Sequence, residues 1–317
     1  MTARRPTWRT TGATLACATA ILTVATVPAT AAAAPEKVRP STRADALTAM
    51  HGEAFAYASY MAYATQAWHQ RHRKVSELFA RTARTELGDH FAKEARLIHF
   101  ARGNAANLRE SIKGETYEAR TMYPKFAEEA KRDGDTRAAR LFKEIAGDEA
   151  AHAKAFKKAL WAIKHHRPRA IPKGRAAKPV ALRPGGPHVK SARTLRNLGV
   201  AMRGEAFAHA KYSLYAEHAR ATHQPRLARL FERAARVELV EHFAAESNLA
   251  GLLQGTRANL RKSIKGETYE ATTMYPRFSR RAAKVADTGA ARLFKEIAGD
   301  EAAHAKAFRR ALRKLDK

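Results

Sequence analysis

The sequence is one unit written twice, and this restricts the fold more than any other feature. Ser111 to Ala119, reading Ser-Ile-Lys-Gly-Glu-Thr-Tyr-Glu-Ala, returns unchanged at Ser263 to Ala271. Ala138 to Phe156 returns unchanged at Ala290 to Phe308, and Gly52-Glu53-Ala54-Phe55 returns as Gly204-Glu205-Ala206-Phe207. All three blocks are displaced by 152 residues, so the copies align without gaps at roughly 41–165 and 193–317. Solenoid repeats have periods of about 20–50 residues, so a period this long marks duplicated domains. Between the copies, residues 166–192 hold five prolines, Gly185-Gly186, seven Lys/Arg and no acid. That composition gives an extended, self-repelling linker, expected to be a solvated spacer. A basic tether for an anionic surface is the functional alternative.

Within each copy the pattern is helical. Ala, Leu, Lys, Arg and Glu dominate, and apolar residues recur at three and four, as in Tyr60, Tyr63 and in Leu141, Ile145. Breaks at 69–73, 103–104 and 133–135 leave four helices in the first copy, over 43–68, 73–101, 105–132 and 136–164. In the second copy Pro225 suits a first helical turn and Thr256 an N-cap. Pro124, inside the third helix, is expected to kink or unwind it. The expected fold is all-α: two tandem ferritin-like four-helix bundles, either one per copy or with helices exchanged between the copies.

The front of the chain reads as an export signal over residues 1–33. Arg4, Arg5 and Arg9 precede an apolar stretch from Gly12 to Val27, then Ala29-Thr30-Ala31 and further alanines. The expected location is secreted or attached to the cell envelope, with no membrane span in the mature chain. Cys17, the only cysteine, falls in this segment. A disulfide framework, a thiolate metal site and a cysteine nucleophile are thereby excluded from the body. No phosphate-binding Gly-rich loop, serine nucleophile elbow or His-Glu-x-x-His is present.

The residues that carry chemistry are carboxylates and histidines on helix faces. The fourth helix places Glu149 and His152 three apart, and the second places Glu86 and His90 four apart. Either spacing puts both side chains on one face. The third carries Glu115 and Glu118, and the first Glu53. The second copy repeats the set as Glu205, Glu238, His242, Glu267, Glu270, Glu301 and His304. One Glu from each of two helices and a Glu/His pair from each of the other two build a carboxylate-bridged dinuclear site inside a bundle. Oxygen ligands with two imidazoles suit iron or manganese.

Gly52-Glu53, then Gly114-Glu115-Thr116-Tyr117-Glu118 with Met122-Tyr123-Pro124, then Glu149-x-x-His152 resemble the ferritin-like domain of rubrerythrins. The resemblance covers each repeat almost end to end. It implies that Glu53, Glu86, His90, Glu118, Glu149 and His152 hold two irons, with Glu115 as an extra carboxylate that lets one iron move. It also implies that Tyr60 and Tyr123, with Tyr212 and Tyr275 in the second copy, hydrogen-bond the ligand carboxylates. Two features depart from the family. Its second helix usually spaces Glu and His by three, whereas both copies here use four. Either a helical bulge restores the geometry, or Asp89 and Glu241 stand in as ligands. The cysteine-ligated rubredoxin module is absent, so turnover needs an external electron donor. The implied activity is reduction of hydrogen peroxide, or oxidation of Fe(II) by peroxide or dioxygen, with two irons per repeat.

A function of another class rests on charge. The chain carries 59 Lys+Arg against 30 Asp+Glu, a net +29. Such an excess favours contact with nucleic acid or an anionic wall polymer, and a ferritin-like scaffold can serve a basic binding protein of the envelope or exterior.

Overall fold

The computed structural model describes residues 38–315, and the expected signal segment, 1–33, lies outside them. The first repeat forms α1 (Pro40–His69), α2 (Arg73–Thr85), α3 (Ala92–Leu97), α4 (Asn104–Tyr117), α5 (Tyr123–Arg132) and α6 (Thr136–Lys164). The second forms α7 (Ala192–Ala221), α8 (Pro225–Val237), α9 (Ala244–Ala250), α10 (Thr256–Tyr269), α11 (Tyr275–Lys284) and α12 (Thr288–Leu315). The pairs α2/α3, α4/α5, α8/α9 and α10/α11 are each one rod interrupted by a π-helical turn. Each repeat therefore has the four long helices that its pattern predicts. Among the described residues no helix is long and apolar enough to cross a membrane.

The π turns fall at Glu86–Phe91, Glu118–Met122, Glu238–Phe243 and Glu270–Met274. A π turn bonds i to i+5 and inserts one extra residue. In the second rod that residue absorbs the Glu-x-x-x-His spacing, so Glu86 and His90 still share a face. In the third rod it precedes proline. Pro124 and Pro276 sit at the start of α5 and α11, where the missing N–H is spare. The kink expected at Pro124 is this wide turn. Pro225 opens α8 as expected. Thr256 is the first residue of α10 rather than its cap, and Gly255 takes the cap position. The Thr256 N–H and hydroxyl both donate to Gln70 Oε1, at 2.9 and 2.6 Å.

The bundles do not coincide with the repeats. Helices α1 and α2/α3 close against α10/α11 and α12. Helices α7 and α8/α9 close against α4/α5 and α6. The cores show this directly. Phe308, from the second repeat, is fully buried and packs at ring-centroid distances of 5.4 and 5.0 Å on Tyr60 and Phe79 from the first. Phe156, from the first repeat, packs at 5.2 and 5.3 Å on Tyr212 and Phe231 from the second. Burying an aromatic side chain of this size contributes about 1.5–3 kcal/mol, so the exchanged pairing is held by core contacts. The two bundles abut along α1 and α7, where His51 stacks on Phe207 at 3.7 Å.

The chain changes bundle at two short turns. Asn107, fully buried, closes the first by accepting from Arg102 N and donating to Arg102 O, both at 2.8 Å. Asn259 closes the second in the same way around Gln254. The left-handed residue that begins each reversal is His99 (φ 48°) in one copy and Gly251 (φ 65°) in the other.

The linker is not the solvated spacer expected from its composition. It joins α6 to α7 within one bundle and docks along that bundle. Val180 N donates to Val240 O, Gly185 N to Leu253 O and His188 N to Leu249 O, at 2.8–2.9 Å. Arg183 N and Ala181 O pair with the Asn248 side chain at 2.8 and 2.9 Å. Composition registers the prolines and charges but not these backbone partners.

Candidate metal centre

Each bundle encloses one cluster of buried carboxylates and imidazoles. The first, centre A, takes Glu53 from α1 and Glu86 with His90 from the π turn after α2. The second repeat completes it with Glu267, Glu301 and His304 from α10 and α12. Centre B mirrors it with Glu205, Glu238 and His242 against Glu115, Glu149 and His152. In each centre the donors form two overlapping groups within 4.8 Å, and two carboxylates belong to both. These are Glu86 and Glu301 in centre A, and Glu238 and Glu149 in centre B.

The atoms show what the sharing means. In centre A, His90 Nδ1 lies 2.9 Å from Glu86 Oε2 and 2.9 Å from Glu301 Oε1. His304 Nδ1 lies 3.2 Å from Glu86 Oε1 and 2.9 Å from Glu301 Oε2. Both carboxylates thus turn one oxygen to each histidine. Centre B repeats this, with His242 and His152 facing opposite oxygens of Glu238 and Glu149 at 2.9–3.1 Å. Two bridging carboxylates with a histidine at each end define a dinuclear site. Glu53 and Glu205 stand at the His90 and His242 ends, at 3.7 and 3.5 Å. Glu267 and Glu115 stand at the other ends, each at 3.3 Å from the histidine.

The donors fit metal cations and serve poorly as a hydrogen-bonded core. Both oxygens of Glu86 and of Glu238, His90 Nδ1 and His242 Nδ1 are buried without a hydrogen bond of proper geometry among the described residues. Their close approaches point donors and acceptors at a shared space rather than at one another, and leaving such groups unsatisfied costs several kcal/mol. Burial lifts the carboxyls of Glu53, Glu115, Glu205 and Glu270 well above the usual range, and neighbouring carboxylates add to this. Burial pushes Glu118 up to about 7 and Glu267 to about 8. For His304, burial opposes charge, but hydrogen bonds to Glu267, Glu301 and Glu86 win and raise it to about 12. The cluster by itself therefore holds protons at neutral pH, and cations can replace them.

Glu118 and Glu270 stand apart from the four-donor groups. Glu270 Oε1 is 3.5 Å from where a Cβ on Gly52 would be, and Glu118 Oε1 is 3.7 Å from that of Gly204. The glycine before each α1/α7 glutamate leaves these carboxylates room. The geometry therefore divides the Glu115/Glu118 pair the other way round from the resemblance. Glu115 and Glu267 are inside the clusters, and Glu118 and Glu270 are the extra carboxylates. Asp89 and Glu241 are not ligands: Asp89 pairs with Lys93 at 2.7 Å and Glu241 with Arg175 at 2.7 Å. The π turns remove the need for them.

Four buried tyrosines fasten the carboxylates. Tyr60 donates to Glu267, Tyr212 to Glu115, Tyr123 to Glu205 and Tyr275 to Glu53. Each of these bonds joins one repeat to the other. The Tyr123 hydroxyl also lies within hydrogen-bond distance of Glu246, at 3.0 Å, and that of Tyr275 of Glu94, at 2.9 Å. Glu94 and Glu246 are fully buried, and sequence reasoning missed them. Their signal is legible afterwards: each follows its histidine by four residues, in helices that otherwise differ between the copies.

The outer faces of the two centres differ. Asp148 Oδ2 lies 3.2 Å from His242 Nε2, which turns Nδ1 inward. Arg175, from the linker, clamps that Asp148 at 2.6 Å and Glu241 at 2.7 Å. In centre A the equivalent Asp300 stands 3.5 Å from His90 Nε2, and Lys93 instead bridges Asp89 and Glu296, both at 2.7 Å. Repeat comparison cannot reveal Arg175, because the linker has no second copy.

A four-helix bundle with two bridging carboxylates, terminal carboxylates and one histidine per metal position defines the dinuclear carboxylate class. Comparison with known proteins narrows the class. The rubrerythrin family model matches twice, over residues 47–160 and 196–312. The chain belongs to the rubrerythrin family. Nigerythrin of Nitratidesulfovibrio vulgaris is 33% identical over 137 residues, covering 39% of this chain and 67% of nigerythrin. Rubrerythrin-2 of Clostridium acetobutylicum is 32% identical over 133 residues, 38% of this chain and 72% of that protein. Rubrerythrin of N. vulgaris is 32% identical over 133 residues, 38% of this chain and 69% of that protein. No solved structure matches significantly.

Proposed function

We propose that the protein is an exported oxidoreductase that reduces hydrogen peroxide, or oxidises Fe(II) with peroxide or dioxygen, at a di-iron centre in each bundle. The observation that carries this reading is the division of Glu86 and Glu301, and of Glu238 and Glu149, between two histidines. Bound iron, held by the two histidines and the carboxylates of each centre, would supply the electrons that peroxide reduction consumes, and manganese suits the same donors. The residues do the rest. Glu86 and Glu301 fix the spacing, while Tyr60 and Tyr275 hold Glu267 and Glu53 in orientation. Glu270, beside Gly52, is free to swing toward or away from the centre. Burial raises the Glu94 carboxyl well above the usual carboxylate range, and the Tyr275 hydroxyl stands between it and Glu53. Apolar and aromatic side chains exclude bulk water.

The test is metal analysis after anaerobic Fe(II) loading, followed by near-ultraviolet spectra on adding peroxide. About four irons per chain with a peroxide-dependent change is the expected result. A metal content near zero overturns the reading. A second activity is compatible with the first and rests on the excess of basic residues, a net +29 over the whole chain and +26 without residues 1–33. The exported protein adheres to an anionic polymer or nucleic acid, and its retention falls steeply with salt.

A further inference from the structure

The ligands of the two centres are the same, but the ways in are not. Beside centre A a cavity of about 620 Å³ opens between α1 and α10. Its inner end is Glu270, its walls include Phe55 and Tyr269, and its rim carries Arg203 and Lys262. Ser59 also lines it, 4% exposed, and its hydroxyl has no hydrogen-bond partner among the described residues. Beside centre B the residue equivalent to Ser59 is Lys211. Its ammonium lies 4.6 Å from the centre of the Tyr212 ring and 3.7 Å from where a Cβ on Gly114 would be. A Cβ on Gly266, the counterpart of Gly114, would meet nothing within 4 Å. Lysine thus fills in centre B the space that serine leaves open in centre A.

A second difference concerns charge. Lys262 replaces Glu110 in a block otherwise identical from Asn107 to Ala119 apart from this position. Arg203 lies 4.3 Å over the Phe55 ring. Burial first, and then the charge of Arg203, depress the Lys262 ammonium. Two cations crowd one apolar mouth, and an anion placed between them relieves that repulsion.

We propose that this cavity is a binding site, specific to centre A, for an aromatic molecule bearing a carboxylate or sulfonate. Its ring lies against Phe55 and Tyr269, its anion meets Arg203 and Lys262, and a polar substituent reaches Ser59. The role of the occupant rests on the redox reading above, which requires an external electron donor. An anionic hydroquinone meets that need. It gives up two electrons and two protons and becomes the quinone, while the O–O bond of hydrogen peroxide breaks and two waters form. Centre B, closed by Lys211, admits only small molecules.

Calorimetric titration of the full chain with naphthalene-2-sulfonate, with 2-naphthol as the uncharged comparator, tests the site without any need for turnover. The expected result is about one sulfonate per chain, bound at least about tenfold more tightly than 2-naphthol. Ser59→Lys copies the closed arrangement of centre B and is expected to weaken binding by about tenfold or more with unchanged metal content. Lys262→Glu, which gives this position the acid that its counterpart Glu110 carries in the other repeat, is expected to do the same. Absence of binding, or binding unaffected by both Ser59→Lys and Lys262→Glu, overturns the site. Sulfonate binding that survives while no anionic hydroquinone is oxidised by peroxide overturns the redox reading and leaves the site standing.

Discussion

The exchange of helices makes a prediction that no property of a single repeat can imitate. Glu53 and Glu301 come from different repeats but meet in centre A, whereas Glu53 and Glu149 share a repeat but serve different centres. The perturbation is a pair of double variants, Glu53→Ala/Glu301→Ala and Glu53→Ala/Glu149→Ala. The first removes a terminal and a bridging carboxylate from centre A, and His90 loses the partner it has at 2.9 Å. Centre B is untouched, so the metal content is expected to fall by half, from about four ions to about two. The second strikes both centres, and metal is expected to fall toward zero. Thermal unfolding supplies an independent magnitude. With free metal at about a hundred times the dissociation constant, one occupied centre stabilises by about 2.7 kcal/mol. For a chain of this size that corresponds to roughly 4–5 °C. The first variant is expected to keep the metal-dependent rise of one centre and the second to lose nearly all of it. Elemental analysis and calorimetry of the same samples read both quantities. If the variant altered in one repeat alone keeps half the metal, and the variant split between repeats loses all of it, the exchanged architecture is wrong.

Three further outcomes follow from particular residues. In chelator-treated protein, Glu267 held at about 8 and Glu118 at about 7 keep protons in the folded state that the unfolded chain gives up near 4.5. Folded stability is therefore expected to fall as pH rises from 6.5 to 8.5, above the range in which His51, lowered to about 4 by burial and nearby cations, contributes. Metal displaces those protons, so a pH series of melting temperatures should flatten on loading, and an equally steep loaded series would refute the assignment. Tyr275→Phe removes the hydroxyl that Glu53 and Glu94 share. It is expected to destabilise by about 1.5–3 kcal/mol in denaturant titration, and to weaken metal binding in centre A alone. Gly251→Ala places a Cβ 2.5 Å from the Gly186 carbonyl carbon at a positive φ, and is expected to cost about 1–2 kcal/mol or more. His99→Gly, at the same turn of the other copy, is expected to stabilise by a fraction of that.

Much of the site was legible because its chemistry is written in helical periodicity. Glu149 with His152, and Glu53 after Gly52, lie where the spacing and the resemblance put them. The four-residue gap between Glu86 and His90 was the one irregularity, and the π turn explains it. A π turn depends on which residue finds room in the surrounding core, and no local pattern encodes that room. Glu94 and Glu246 escaped because a helical glutamate is ordinarily solvated, and only the tyrosine opposite makes it an interior group. Arg175 escaped because its partners, Asp148 and Glu241, are remote in sequence.

The sequence alone determined the four-helix pattern of each repeat and placed a Glu, a Glu/His pair, two further Glu and a second Glu/His pair along those helices. It also carried the family resemblance, through Gly52-Glu53, Gly114-Glu115-Thr116-Tyr117-Glu118 with Met122-Tyr123-Pro124, and Glu149-x-x-His152. It did not determine which helices meet. Identical blocks at Ser111–Ala119 and Ser263–Ala271, and at Ala138–Phe156 and Ala290–Phe308, present the same surface to either partner. Self-pairing and exchange therefore bury nearly the same groups. Tertiary structure decided between them through the connections: short turns at His99 and Gly251 that carry the chain across, and a linker that docks on one bundle beside Arg175. The same divergence outside the identical blocks made Ser59 and Lys211 different doors to two otherwise equal centres.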